Sequence, residues 1–282
     1  MIIAVASGKG GTGKTTVALA LAAAINQPVK LLDCDVEEPN CHLFIRSEIE
    51  RSEPVTIPVP TVDNAHCTGC GKCAKICRYN AIALVGKKIL IFPELCHSCG
   101  GCVKVCPTGA LKEVPHEIGH IEFSHVERLK MVSGRLTIGR AMSPPLIRAV
   151  KKHIPSHGLS IIDCPPGTSC PVVTAVRNAD FVLLVTEPTP FGLHDLTLAV
   201  NTVRELGIPF GVVLNRSDSG DRRVHEYCSA EQIPILLEIE ERRSIAEAYS
   251  CGIPLLKAVP ELRESFKTVI RKIGEFTGKE VF

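Results

Sequence analysis

The stretch Gly8-Lys9-Gly10-Gly11-Thr12-Gly13-Lys14-Thr15 decides the fold. It follows a short apolar run, residues 2–6, and precedes an Ala/Leu-rich segment, residues 14–25. It therefore reads as a loop between a buried strand and a helix. Two phosphate-binding patterns fit it. As Gly8-x-Gly10-x-x-Gly13 it is a dinucleotide fingerprint, with Asp33 lying 20 residues beyond Gly13, where a ribose-binding acid would sit. As Gly8-x4-Gly13-Lys14-Thr15 it is a P-loop, whose backbone N–H groups cradle phosphates at a helix N-terminus. The residues past the glycines separate the two. A dinucleotide site has no role for Lys14 and Thr15, whereas a P-loop uses the lysine to neutralise the β- and γ-phosphates and the hydroxyl to hold Mg²⁺. A P-loop also needs an acid after a later buried strand, and Asp163 in Ile161-Ile162-Asp163-Cys164-Pro165-Pro166-Gly167 supplies it. Lys14 is thus a predicted catalytic residue, Thr15 and Asp163 predicted Mg²⁺ partners, and ATP and Mg²⁺ the predicted cofactors.

Outward from the loop, buried-strand runs recur at 29–32, 159–162, 181–185, 210–214 and 233–237. Helical stretches lie near 170–178, 192–206, 220–231 and 242–250. Such alternation predicts an α/β fold, an open and mostly parallel sheet with helices on both faces. With 282 residues the chain can bury a large core, and 45% hydrophobic with 22% charged residues excludes disorder and collagen-like repeats. No apolar run approaches the ~20 residues of a spanning helix. A formal charge of +2 argues against a dedicated nucleic-acid binder.

The cysteines break the pattern. Eight of the 14 lie between Cys67 and Cys106. A disulfide framework would not cluster so, and Met1 runs into the glycine loop with no room for a signal peptide, which predicts a cytoplasmic, reducing setting. The run Cys67-x2-Cys70-x2-Cys73-x3-Cys77 repeats as Cys96-x2-Cys99-x2-Cys102-x3-Cys106. This spacing resembles that of bacterial ferredoxins, in which the fourth cysteine of each run ligates the other cluster. One [4Fe–4S] cluster would take Cys67, Cys70, Cys73 and Cys106, and the other Cys96, Cys99, Cys102 and Cys77. Zinc sites use paired knuckles from separate turns and fit triplets less well. Arg78 stands where the pattern has proline, and a cation there would raise the potential of a nearby cluster. The expected organisation is a P-loop domain over residues 1–57 and 117–282, interrupted at 58–116 by a small α+β ferredoxin-like domain with two [4Fe–4S] clusters.

The run Lys9 to Thr16 resembles the deviant P-loop of the MinD/ParA ATPases, relatives of the nitrogenase iron protein. The resemblance implies that Gly8, Lys9, Gly10, Gly11, Thr12, Gly13, Lys14, Thr15 and Thr16 bind nucleotide. It also implies that Lys9 reaches across a dimer to the partner's ATP phosphates. Asp35 matches the first-switch aspartate that positions the attacking water, Asp163-Cys164-Pro165-Pro166-Gly167 matches the second switch, and Asn215 matches the asparagine that reads adenine. Ile239-Glu240 is a looser match to the closure of the base pocket.

Other features are set aside. His116-Glu117-Ile118-Gly119-His120 has the zinc-protease spacing but follows Pro115 and alternates onward into Ile121 and Phe123, a strand rather than the helix that motif needs. Leu262, Phe266, Val269, Ile270 and Ile273 form a helical stripe expected to pack on the core rather than on a membrane. Arg222-Arg223 and Arg242-Arg243 read as solvated pairs. Cys164 and Cys170 flank the second switch, and Cys228 and Cys251 are too far apart in sequence for the Cys-x2-Cys of iron–sulfur scaffold ATPases.

The expected function is an Mg²⁺-dependent ATPase, a homodimer or a heterodimer with a similar ATPase, coupling nucleotide state to electron transfer through the two clusters toward a redox or metal-cluster client. The alternatives are a scaffold or chaperone in metal-cluster assembly and, more remotely, a dinucleotide-dependent iron–sulfur oxidoreductase.

Overall fold

A computed structural model describes residues 1–140 and 142–279; residues 280–282, the end of the 117–282 segment, lie outside the described residues. The strands are β1 Ile2–Ala6, β2 Val29–Asp33, β3 Ile49–Val62, β4 Ile82–Val85, β5 Lys88–Ile91, β6 Leu111–Val126, β7 Leu129–Leu136, β8 Leu159–Asp163, β9 Phe181–Thr186, β10 Phe210–Asn215 and β11 Ile235–Ile239. Nine of them form one sheet in the order β11-β10-β9-β1-β8-β2-β7-β6-β3. The first seven in that order are mutually parallel, and β6 and β3 add an antiparallel ribbon at one edge. The expected α/β sheet is therefore present.

Both faces are buried, as a parallel sheet requires. Period-two alternation sends Ile3 and Val5 to one face and Ala4 and Ala6 to the other, and likewise Phe181, Leu183 and Val185 against Val182 and Leu184. Helices Lys14–Ala24 and Leu262–Thr277 cover the first face; Pro144–Lys151, Cys170–Val176 and Pro190–Glu205 cover the second. The C-terminal stripe packs on the core as expected, with Phe266, Ile270 and Ile273 fully buried. No helix among the described residues is long and apolar enough to cross a membrane.

Two elements depart from the sequence reading. The last strand begins at Ile235 rather than 233, because Pro234 has no N–H to give to a ladder. The second departure is larger, for residues 49–62 and 111–126 form a 13-rung ribbon. Pro54, Pro58 and Pro60 obscure β3 in the sequence, yet β3 is an edge strand, where proline costs no ladder bond on its open side. Pro115 sits where β6 has β3 alone beside it, since β7 pairs with β6 only from Gly119 onward. The string His116 to His120 lies in this strand, so its histidines do not share a helix face.

The cysteine-rich segment occupies the tip of the ribbon, between Val62 and Leu111, and has a small core of its own around Cys73, Ile82, Ile89, Cys102 and Leu111. The repeat seen in sequence is also a repeat in conformation. Gly71 and Gly100 take left-handed φ values of 72° and 69° at the starts of helices Lys72–Ile76 and Gly101–Lys104. The hairpin β4–β5 joins the halves.

Because Phe266 is sealed into the core, Phe266→Ala is expected to lower stability by about 3–5 kcal/mol. Urea denaturation checks this, and a loss under about 1 kcal/mol would return the stripe to a surface role.

Candidate nucleotide site and cysteine module

The glycine loop joins β1 to the helix Lys14–Ala24 and leaves that helix with its first N–H groups uncapped by any side chain. Two glycines are obligatory for stated reasons. A Cβ on Gly8 would overlap the backbone carbonyl of Asp195, and Gly13 has φ +93° with Asn215 Nδ2 2.6 Å from where a Cβ would stand. The Asn215 side chain donates to the Thr12 carbonyl at 2.9 Å, which leaves its own carbonyl oxygen free to accept.

Below the loop, the parallel pairing of β2 with β8 sets Asp33 opposite Asp163. Both are fully buried. The Thr15 hydroxyl donates to Asp163 Oδ2 at 2.6 Å, and the Cys41 thiol approaches the same oxygen at 3.5 Å. Asp33 accepts from the Asp35 and Cys41 amides at 3.2 and 3.1 Å. Asp163 Oδ1, by contrast, is buried with no hydrogen-bond partner. Such an oxygen is costly unless a cation or its water serves it.

Electrostatics follow the crowding. Burial, and then the Asp163 charge, push Asp33 well above the ordinary carboxylate range. Burial also raises Asp163, against the pull of the Thr15 hydroxyl and Lys14. Asp35 is pushed up to about 6 by burial despite Lys14, with Asp163, Glu38 and Glu37 adding to the rise. Burial, Asp33 and Asp163 hold the Cys41 thiol protonated.

The structure thus gathers Lys14, Thr15, Asp35 and Asp163 at one end of the sheet, with Asn215 against the loop. Lys9 stands apart from them. Its ammonium lies 3.5 Å from Glu187, a carboxylate also bound by Arg216 at 2.9 Å. Sequence reasoning missed Glu187, Arg216 and Cys41. Glu187 follows the β9 run and was legible only as an acid after a buried strand. Cys41 carried no spacing signal at all.

In the module, one cavity is lined by Cys67, Cys70, Cys73 and Cys106 together with Ile89 and Leu111. Burial raises the Cys73 thiol, and Cys106 and Cys67 lie close enough to push it further. The other four cysteines group likewise: burial raises Cys96, with Cys99 and Cys77 adding to it, and burial raises Cys102, with Cys96 and Cys99 adding. Each group contains three thiols of one run and the fourth of the other. Cys164 and Cys228 are buried, and Cys170 and Cys251 are exposed on separate helical segments.

The module is tied to the nucleotide end through backbone. The Leu136 amide donates to the Val36 carbonyl at 2.8 Å, and the Thr137 amide to the Ile118 carbonyl of β6 at 2.9 Å. Arg140 pairs with Glu94 of the module at 3.7 Å.

Residues 3–255 match the CobQ/CobB/MinD/ParA nucleotide binding domain. An uncharacterized protein of Methanocaldococcus jannaschii is 33% identical over 79% of this chain and 83% of its own length. A protein of Aquifex aeolicus named iron-sulfur cluster carrier protein is 26% identical over 99% of this chain and 69% of its own. Among solved structures, the cell division ATPase MinD of Pyrococcus furiosus superposes with a TM-score of 0.62 over 98% of both chains at 21% identity, a likeness of fold.

The Asp35 value carries a stability consequence. It lies above the ordinary 3.8, so the ionised form is the disfavoured one in the fold. The contribution is fully present below about pH 4 and is lost as pH rises through about 6. In nucleotide-free protein, Asp35→Asn is therefore expected to gain stability over wild type between about pH 5 and 7.5, with little difference near pH 4. Urea midpoints measured across that range check the slope, and a pH-independent difference contradicts it.

Proposed function

The chain belongs to the CobQ/CobB/MinD/ParA nucleotide-binding family, and from that premise we propose that it is an Mg²⁺-dependent ATPase whose nucleotide state is coupled to electron transfer through two [4Fe–4S] clusters in the 58–116 insert. The observation that carries the coupling is the pair of backbone bonds, Leu136 to Val36 and Thr137 to Ile118. They join the segment just after Asp35 to the ribbon that ends in the cysteine module.

In this reading the loop amides and the uncapped helix N-terminus receive the phosphates, and Lys14 neutralises them. Thr15 and Asp163 hold Mg²⁺, for which the unpartnered Asp163 Oδ1 is a fitting oxygen donor. Asp35 orients the attacking water, and the free carbonyl of Asn215 accepts from the adenine amino group. Lys9 leaves Glu187 and reaches the phosphates bound by a second ATPase subunit, identical or similar. Bound Mg²⁺ neutralises charge on the transferred phosphoryl group. The two thiol groupings fit the cross-ligated ferredoxin pattern, with one cluster on Cys67, Cys70, Cys73 and Cys106 and the other on Cys96, Cys99, Cys102 and Cys77. Such clusters carry one electron each.

A second reading, a carrier or scaffold for clusters, is favoured by the name of the Aquifex aeolicus relative. The two differ in whether iron leaves the protein. Anaerobic potentiometry followed by EPR, with ADP and then a non-hydrolysable ATP analogue, tests the first. Potentials or electron-transfer rates that shift with nucleotide support coupling; no shift, together with iron passing to an apo-acceptor, moves the assignment to the carrier.

Lys14→Ala is expected to abolish ATP hydrolysis while about eight irons per chain and their absorbance remain. Lys9→Ala is expected to keep ATP binding and lose at least about tenfold in turnover. Undiminished hydrolysis in either variant, measured by phosphate release, removes that lysine from the site.

A further inference from the structure

The module's surface is unlike the rest of the chain. Residues 63–110 carry six Lys and Arg against two Asp and Glu, a net +4, which leaves −2 for the remainder of a chain whose total is +2. Both acids are engaged: Asp63 with His66 at 2.8 Å, and Glu94 with Arg140. Among the described residues, none of the six cations forms an ion pair.

Three of these cations, Lys72, Lys87 and Lys88, lie beside one cysteine group. Lys72 lines the cavity of Cys67, Cys70, Cys73 and Cys106. The β4–β5 hairpin lies over the same loop, with Leu84 against Gly71 and the Lys87 backbone so near Gly69 that a Cβ there would be 2.8 Å from its carbonyl. The hairpin carries Lys87 and Lys88 beside Val85, 60% exposed, and Leu90, 45% exposed. In the other group Cys96 packs against the core of the main sheet, as Ile91 does, while Cys99 is exposed. An exposed apolar patch ringed by one sign of charge marks a docking surface for a protein of the opposite sign.

We infer that this outer face docks an acidic protein one-electron carrier, with the Cys67/Cys70/Cys73/Cys106 cluster as the site of exchange. The inference rests on the electron-transfer reading. Complementary charge selects the carrier and speeds encounter, and the apolar side chains hold it beside Cys70, an exposed cysteine of the group. The step is a single electron: the carrier's reduced centre loses one and the cluster passes from the 2+ to the 1+ state, with no bond or proton moved.

The test uses clustered full-length protein and a flavodoxin of strongly acidic surface as the probe. Binding is measured by calorimetry at low and high salt, and cluster bleaching by flavodoxin hydroquinone is followed in stopped flow. In Lys87→Glu/Lys88→Glu, affinity and second-order rate are each expected to fall about tenfold or more, and the wild-type values to fall with salt. Val85→Ser is expected to weaken binding with the salt dependence kept. Bleaching by dithionite, which needs no docking face, and ATP hydrolysis are expected to stay unchanged in both variants. Binding and rates insensitive to salt and to both variants overturn the inference. So does a shift in the protein's own sedimentation on charge reversal, which would make the face a contact between copies, or tighter binding to an oligonucleotide than to flavodoxin. Charge-dependent binding without any reduction, by flavodoxin or dithionite, would keep the docking face and remove the electron-transfer reading instead.

Discussion

Asp33 and Asp163 face each other on adjacent parallel strands, with no exposure to water. Two carboxylates cannot share such a place unless nearby groups compensate them. The chain answers with the Thr15 hydroxyl, the Asp35 and Cys41 amides, and the Lys14 ammonium under the glycine loop. The sheet order makes this possible, because β8 lies between β1 and β2. The loop that follows β1 therefore lies on the side of the carboxylates at the ends of β8 and, one strand further, β2. One oxygen, Asp163 Oδ1, is still left without a partner. The folded chain thus holds an unserved carboxylate oxygen that a divalent cation and its waters can satisfy, and nucleotide is what brings that cation in the proposed cycle.

The same strand pair sets how the module is attached. β7 pairs with the far side of β2, and the chain then reverses through β6 and β3 to form the ribbon. The module is consequently a continuation of the sheet, not a body on a free linker. Residues 34–48, which connect β2 to β3, touch the ribbon's root through the Val36 carbonyl. In the proposed cycle a displacement of Asp35 toward a γ-phosphate would pull on a hydrogen-bonded ladder, and a ladder transmits a shift that a flexible tether would absorb.

Much of this was legible in the chain, and the misses share a cause. The P-loop, the second carboxylate and the parallel core strands are written in contiguous local signals, each an apolar run meeting a glycine or an acid. Pro58 and Pro115, opposite each other in the ribbon, instead read as domain punctuation, and only the knowledge that β3 is an edge makes them compatible with strands. Cys41 and Glu187 are placed by packing between segments distant in sequence, so no spacing announces them. Cys77 lies near the second run and Cys106 near the first, the arrangement that the likeness to bacterial ferredoxins implies.

The distribution of thiols bears on what the proposed clusters would do. A cluster that is cargo needs a site that can release a ligand or share it with an acceptor. The eight module cysteines form two sets of four, enough to saturate a cube each, and their outer shells are packed by Ile82, Ile89 and Leu111. Of the other six, Cys34, Cys41, Cys164 and Cys228 are buried, sealed away from any acceptor protein. Cys170 and Cys251 are exposed but sit on separate elements. A transient cluster would have to draw on those two or on a second subunit, whereas a resident pair needs nothing beyond the module. Under the proposed ligation, saturated cubes favour the electron-transfer reading over the carrier reading.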